Sequence, residues 1–198
     1  DFNVRETRAG AWLTFEQANN EAVYSLADLR DTYAVAGVDL GATTDLTSAA
    51  VIIMRPGDQQ FYVISHSWMP EETVEQRARE DKVPYDRWVK RGLITPSPGN
   101  RVDYRLVTDW FLQLLTEYCI HCYWVGYDSW NSPAWVEDME IRLGYERGKN
   151  LIPVIMGAKT LSAPMKELKA DLCSKRVNYG NNPVLKWALT NLSVEVDK

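Results

Sequence analysis

Cysteine is scarce in this chain: Cys119, Cys122 and Cys173 are the only three among 198 residues. An odd, sparse set argues against a disulfide framework and fits a reducing compartment. The run Cys119-Ile120-His121-Cys122 has C-x-x-C spacing, but a closed zinc site takes four ligands, and His66 and Cys173 are the only other candidates. It reads instead as the end of a buried helix and the start of a buried strand. Long apolar runs are also missing. None reaches the roughly 18 to 20 residues of a membrane helix, so no spanning helix is expected. Residues 1–6 contain no basic stretch followed by an apolar one, so nothing reads as a secretory signal and a cytosolic protein is the expectation. Internal repeats and low-complexity tracts are lacking, which removes solenoids and disordered tails. Net positive charge is lacking too: the formal charge is −5. Contact with nucleic acid would then have to rest on a local patch, and Arg77, Arg79, Lys82, Arg87, Lys90, Arg91, Arg101 and Arg105 offer one.

What is present is enough apolar material for one core, with 45% hydrophobic residues and eight tryptophans. Residues 1–33 are polar and mixed, with a helix expected over 14–24, and read as a lead-in. Short strands are expected over 34–40, 46–54 and 60–68. The turn residues Arg55-Pro56-Gly57-Asp58 should join the last two as an antiparallel hairpin. Residues 70–91 are charged and helix-prone, with Pro84 opening a second short helix, and look like an exposed insertion. A strand over 93–95 precedes an amphipathic helix over 103–120, whose buried stripe is Val107, Trp110, Phe111, Leu114 and Leu115. Strand 123–128, helix 133–143, strand 151–156 and helix 162–173 complete the order. Three antiparallel strands followed by alternating helix and strand predict an α/β fold with helices packed on a mixed sheet.

Asp39 closes the first of these strands and Asp128 closes the strand after the long helix. In open α/β sheets, functional groups gather at the carboxyl ends of neighbouring strands. If these two strands are neighbours, the carboxylates converge on a hard oxygen site suited to Mg²⁺ or Mn²⁺, and a pair of such ions suits phosphodiester hydrolysis. Spacing alone leaves a plainer reading open, in which both acids merely cap the turns that follow.

Local sequence adds to this. The run Gly37-Val38-Asp39-Leu40-Gly41-Ala42-Thr43-Thr44-Asp45-Leu46-Thr47-Ser48 is similar to the first nuclease motif of the large terminase subunits of tailed bacteriophages. Gly126-Tyr127-Asp128-Ser129-Trp130-Asn131 resembles their second. Segments 66–71, 83–89, 92–95, 99–104, 161–168 and 182–191 resemble the same family in the same order. The resemblance implies an RNase H-like nuclease domain that cuts double-stranded DNA with Mg²⁺ or Mn²⁺, using two ions. It makes Asp39 and Asp128 the catalytic, metal-binding acids and adds Asp45 as a further metal residue. It also implies a third acid in an Ile-Asp-Gly type segment opening a final helix. No such segment precedes Lys198, and Asp197 does not match it. No G-x-x-x-x-G-K-[ST] run occurs either, so an ATPase half is expected elsewhere in the full protein, with residues 1–33 leading in from it and 34–198 forming the nuclease domain. Further partners implied are the small terminase subunit and the portal, in the cytoplasm of an infected bacterial host, with no membrane.

Two other readings stand beside this one. The run at 37–44 also looks like the first phosphate loop of sugar kinases and actin-like ATPases, but those need a second such loop, which this chain lacks. A non-catalytic module that grips DNA or docks within the packaging machine would fit the acidic balance. Trp130 and Trp135 flank the turn after Asp128 and are expected in the core rather than stacked on bases.

Overall fold

The computed structural model describes residues 11–41, 46–130 and 132–193. Strand β1 (Thr32–Asp39) lies at the middle of a mixed sheet. Its alternation is strict: Ala34, Ala36 and Val38 are buried, whereas Tyr33, Val35, Gly37 and Asp39 are exposed. Strand β2 (Thr47–Met54) pairs with it antiparallel and alternates likewise, burying Thr47, Ala49, Val51 and Ile53. Strand β3 (Phe61–Pro70) closes the expected hairpin. In the turn, the Asp58 amide donates to the Arg55 carbonyl, Gly57 adopts φ 80°, and the Asp58 carboxylate accepts from the Gln60 amide and the Tyr62 hydroxyl.

Strands β4 (Ile94–Ser97), β5 (Ile120–Asp128), β6 (Leu151–Val154) and β7 (Val177–Asn178) complete the sheet. Its order is β4-β3-β2-β1-β5-β6, with β7 beside β3. β5 is parallel to β1, and β6 is parallel to β5. One face is covered by two helices. From Arg105–Tyr118 come Val107, Phe111 and Leu114, and from Pro133–Leu143 come Trp135, Val136 and Met139, packed on Ala36, Val51, Ile53 and Val125. The second helix starts on Pro133, whose missing amide donor costs nothing there, and stops on Gly144 at φ 69°. Fully burying each of these apolar side chains contributes about 1.5–3 kcal/mol.

We number the helices in chain order: α1 (Phe15–Ala18), α2 (Val74–Glu80), α3 (Tyr85–Lys90), α4 (Arg105–Tyr118), α5 (Pro133–Leu143), α6 (Ala158–Cys173) and α7 (Pro183–Asn191). Several depart from the sequence reading. The helix expected over 14–24 ends after Ala18, because the Asn20 amide donates to the Tyr179 hydroxyl and the Asn20 side chain donates to the Val177 carbonyl. The described part of the lead-in is packed on the sheet: Leu13, Ala18 and Leu29 are buried, and the Tyr24 hydroxyl donates to the Val63 carbonyl at 2.6 Å. Helices α2 and α3 are not a merely exposed insertion. Val74, Val83, Tyr85 and Trp88 form a small second core with Met69, Ile94 and Val184.

On the other face of the sheet, Leu13, Ala18, Val63, Leu172, Val177 and Tyr179 form a third cluster that covers the β3 side. The β1, β5 and β6 side stays open, with Val35 and Trp124 exposed. No helix among the described residues is long and apolar enough to cross a membrane.

Candidate active site

Val38 pairs with Tyr127 in the parallel register of β1 and β5, and Asp39 and Asp128 are the next residues on each strand. Neighbouring strands lie about 4.8 Å apart, and residues at one level of a parallel pair point to the same face. Both acids line a groove of about 1010 Å³ on the open face, floored by Gly37, Gly126 and Ala50. Asp39 is also level with Ser48 on β2, and Ser48 with Ser67 on β3. The two serine hydroxyls are 3.0 Å apart. One row across four strands therefore reads Asp128, Asp39, Ser48, Ser67, all facing the groove.

Asp128 Oδ1 accepts from the Trp130 amide at 3.0 Å, so this acid does cap the turn that follows it. The cap and a ligand role are compatible, since a carboxylate has about four lone-pair sites. Asp45, the third metal residue expected from the sequence, lies outside the described residues, as does Asp197. Among the described residues no group of three or more His, Cys, Asp or Glu side chains is arranged to hold a metal. Two carboxylates still fit Mg²⁺, which dehydrates reluctantly and is commonly held by one or two carboxylates, with waters filling the rest of its shell.

The turn after Asp39 is anchored by its neighbours. Leu40 is buried, the Gly41 amide donates to Thr47 Oγ1 at 3.2 Å, and the Tyr104 hydroxyl donates to the Gly41 carbonyl at 2.8 Å. Burial pushes the Tyr104 phenol up, with Arg101 opposing the shift and Asp39 adding to it. Tyr104 is thus within electrostatic reach of both Arg101 and Asp39.

The C-x-x-C run is structural. Cys119 ends α4 in the left-handed region, and Cys122 is buried on the α4 side, where desolvation pushes its thiol up to about 12. Strand alternation leaves His121 exposed on the other side. The basic patch is more mixed than its sequence suggested. Helices α2 and α3 follow the end of β3, which runs parallel to β1 through two antiparallel pairings, so the unit emerges at the same end of the sheet as Asp39. There Arg79, Lys82, Arg87, Lys90 and Arg91 are exposed, but Glu71, Glu72, Glu75, Glu80, Asp81 and Asp86 are interleaved with them. Arg77 is paired to Asp81 at 2.8 Å and Arg105 to Asp103 at 2.6 Å. Trp135 is in the core as expected, whereas Trp130 is 77% exposed beside Asp128. Ser48, Ser67 and Tyr104 escaped the sequence reading as site residues. Their signals were the hairpin register and their places in the quoted runs 37–48, 66–71 and 99–104.

Comparison with known proteins gives the family of the chain. A family model described as the terminase large subunit, endonuclease domain, matches residues 1–198. The chain belongs to that family. Among curated relatives, the terminase nuclease domain is 30% identical to the large terminase subunit of Enterobacteria phage HK97, over 82% of this chain and 31% of that protein. It is 25% identical to protein YmfN of Escherichia coli strain K12, over 78% of this chain and 34% of that one. The chain thus spans about a third of the length of these curated relatives. Among solved structures, the crystal structure of the HK97 large terminase aligns with a TM-score of 0.75 at 24% identity, over 91% of this chain and 36% of that one. The large terminase nuclease of thermophilic phage G20c aligns with a TM-score of 0.50 at 14% identity, over 82% and 66%. These likenesses establish the RNase H-like fold of this terminase nuclease domain.

Proposed function

We propose that this terminase nuclease domain is a Mg²⁺- or Mn²⁺-dependent endodeoxyribonuclease that hydrolyses phosphodiesters of double-stranded DNA during genome packaging. The observation that carries the reading is the β1–β5 register, which sets Asp39 and Asp128 side by side on an open groove. In this reading Asp39 and Asp128 hold the divalent ions, with Asp45 as a further ligand. When bound, such ions lower the pKa of a water nucleophile and neutralise charge on the phosphodiester. The protein's own part is orientation. Asp39 leaves the sheet through a turn whose backbone is held at Gly41, and Asp128 is set by its bond to the Trp130 amide. Exposed cations at the α2–α3 end of the sheet supply phosphate contacts that are independent of sequence. In the full protein, residues 1–33 lead in from an ATPase domain, and the small terminase subunit and the portal are the partners, in the cytoplasm of the infected host.

The test is nicking of supercoiled plasmid in Mn²⁺, Mg²⁺ or EDTA, beside Asp39→Ala and Asp128→Ala and a longer polypeptide carrying the third acid of the family motif. Nicking that needs the ion and both aspartates supports the reading. Inert protein, even in the longer form, whose DNA binding is unchanged by EDTA and by Asp39→Ala, replaces it with a DNA-gripping module.

A further inference from the structure

We infer that Tyr104 and Thr47 are positioning residues that hold the Asp39 carboxylate for a divalent ion by clamping Gly41; this rests on the proposed metal site. Gly41 comes two residues after Asp39 and lies just beyond the last residue of β1. Past that point the ladder with β2 no longer restrains the chain, since the register ends at Asp39 opposite Ser48. A backbone amide and carbonyl at such a place normally turn to water or to a local turn bond. Here the Gly41 amide donates to Thr47 Oγ1, and the Gly41 carbonyl accepts from the Tyr104 hydroxyl.

The two clamping groups come from rigid places. Thr47 is fully buried at the first position of β2, and Tyr104 sits at the N-cap of α4, partly buried against the main core. Leu40, between Asp39 and Gly41, is sunk in that core. The peptide units on both sides of Gly41 are thereby held, and with Leu40 buried the chain leaving Asp39 is tied down just past the end of β1. Groups that orient a metal ligand from behind typically matter by roughly 10- to 100-fold in metal affinity or activity.

The experiment measures Mn²⁺ binding by the paramagnetic resonance signal of the free ion, for the unaltered protein and for Tyr104→Phe, Thr47→Val, Thr47→Ser and Asp39→Ala. Tyr104→Phe and Thr47→Val each delete one hydroxyl and keep the shape, so the melting temperature should fall by only roughly 2–4 °C. Expected is a loss of Mn²⁺ affinity of about 10-fold or more in both, recovery in Thr47→Ser, and no binding in Asp39→Ala. In plasmid nicking, the Mn²⁺ concentration for half-maximal rate should rise in Tyr104→Phe while the rate at saturating Mn²⁺ stays near that of the unaltered protein. Mn²⁺ affinity unchanged in Tyr104→Phe and Thr47→Val, with Asp39→Ala still inactive in binding, overturns the clamp and leaves the metal site standing. Binding by Asp39→Ala equal to that of the unaltered protein, or no binding by either, overturns both.

Discussion

Gly37 and Gly126 face each other across β1 and β5, two residues before Asp39 and Asp128 respectively. They are not equivalent. A methyl group added at Gly37 would meet nothing within 4 Å, whereas at Gly126 it would come within 3.1 Å of Val154 Cγ2. The β5–β6 side of the groove is therefore tightly packed, and the β1 side has room.

Gly37→Ala should accordingly raise stability by about 0.5–1 kcal/mol, because alanine has less chain entropy to lose in a strand. Gly126→Ala should lower it by about 1–3 kcal/mol as Val154 is forced aside. Chemical denaturation of the two variants checks the difference, and equal effects would contradict the packing described.

Asp39→Asn and Asp128→Asn should each reduce metal-dependent nicking by at least ~100-fold, equivalent to about 2.7 kcal/mol of barrier. Asp39 is exposed, so its variant should melt close to the unaltered protein. A single-turnover assay beside a melting curve separates lost chemistry from lost fold.

His66 packs against Trp68 and Trp110, with Nε2 2.8 Å from Thr95 Oγ1, and burial lowers its pKa to about 4. The unfolded chain takes up that proton near the ordinary value of 6.5, so the neutral imidazole contributes stability above that pH. The contribution is lost as pH falls from about 6.5 towards about 4. His66→Gln should flatten the dependence of melting temperature on pH within that window and leave it unchanged at pH 8. Parallel curves for the two proteins would count against a buried neutral His66.

Thr108 is fully buried on α4, and its hydroxyl finds no hydrogen-bond partner among the described residues. Thr108→Val keeps the shape and removes an unsatisfied polar group, so it should stabilise the domain by about 1 kcal/mol. Loss of stability on urea denaturation would mean that the hydroxyl is bonded in solution.

Tyr24→Phe should destabilise the domain by about 1 kcal/mol, since it removes the bond to the Val63 carbonyl. The same variant should speed hydrogen exchange in residues 11–33 before the rest of the sheet. Simultaneous exchange would show that this segment opens only with the whole domain.

Local pattern was enough for β1, β2, the hairpin turn and helices α4 and α5, because each has a clear period and recognisable ends. It was also enough to single out Asp39 and Asp128, since a strand that stops on an acid is visible in the chain itself. It failed at residues 19–24, where the polar groups of Asn20 are taken by Tyr179 and Val177, some 160 positions away. It failed likewise at α2 and α3, whose charged surface hides a core completed by Ile94 and Val184.

Within one chain, then, the sequence by itself determined the types of strands β1 to β6 and helices α2 to α6, the two strand-end acids and, through its motifs, the family. Only the tertiary structure decided that β1 and β5 are neighbours in the register that levels Asp39 with Asp128, that Ser48 and Ser67 extend their row, and that Tyr104 reaches Gly41. The reason is physical: hydrophobic period and turn chemistry act over a few residues, whereas strand adjacency and a hydroxyl's choice of partner are settled by packing between segments far apart in the chain.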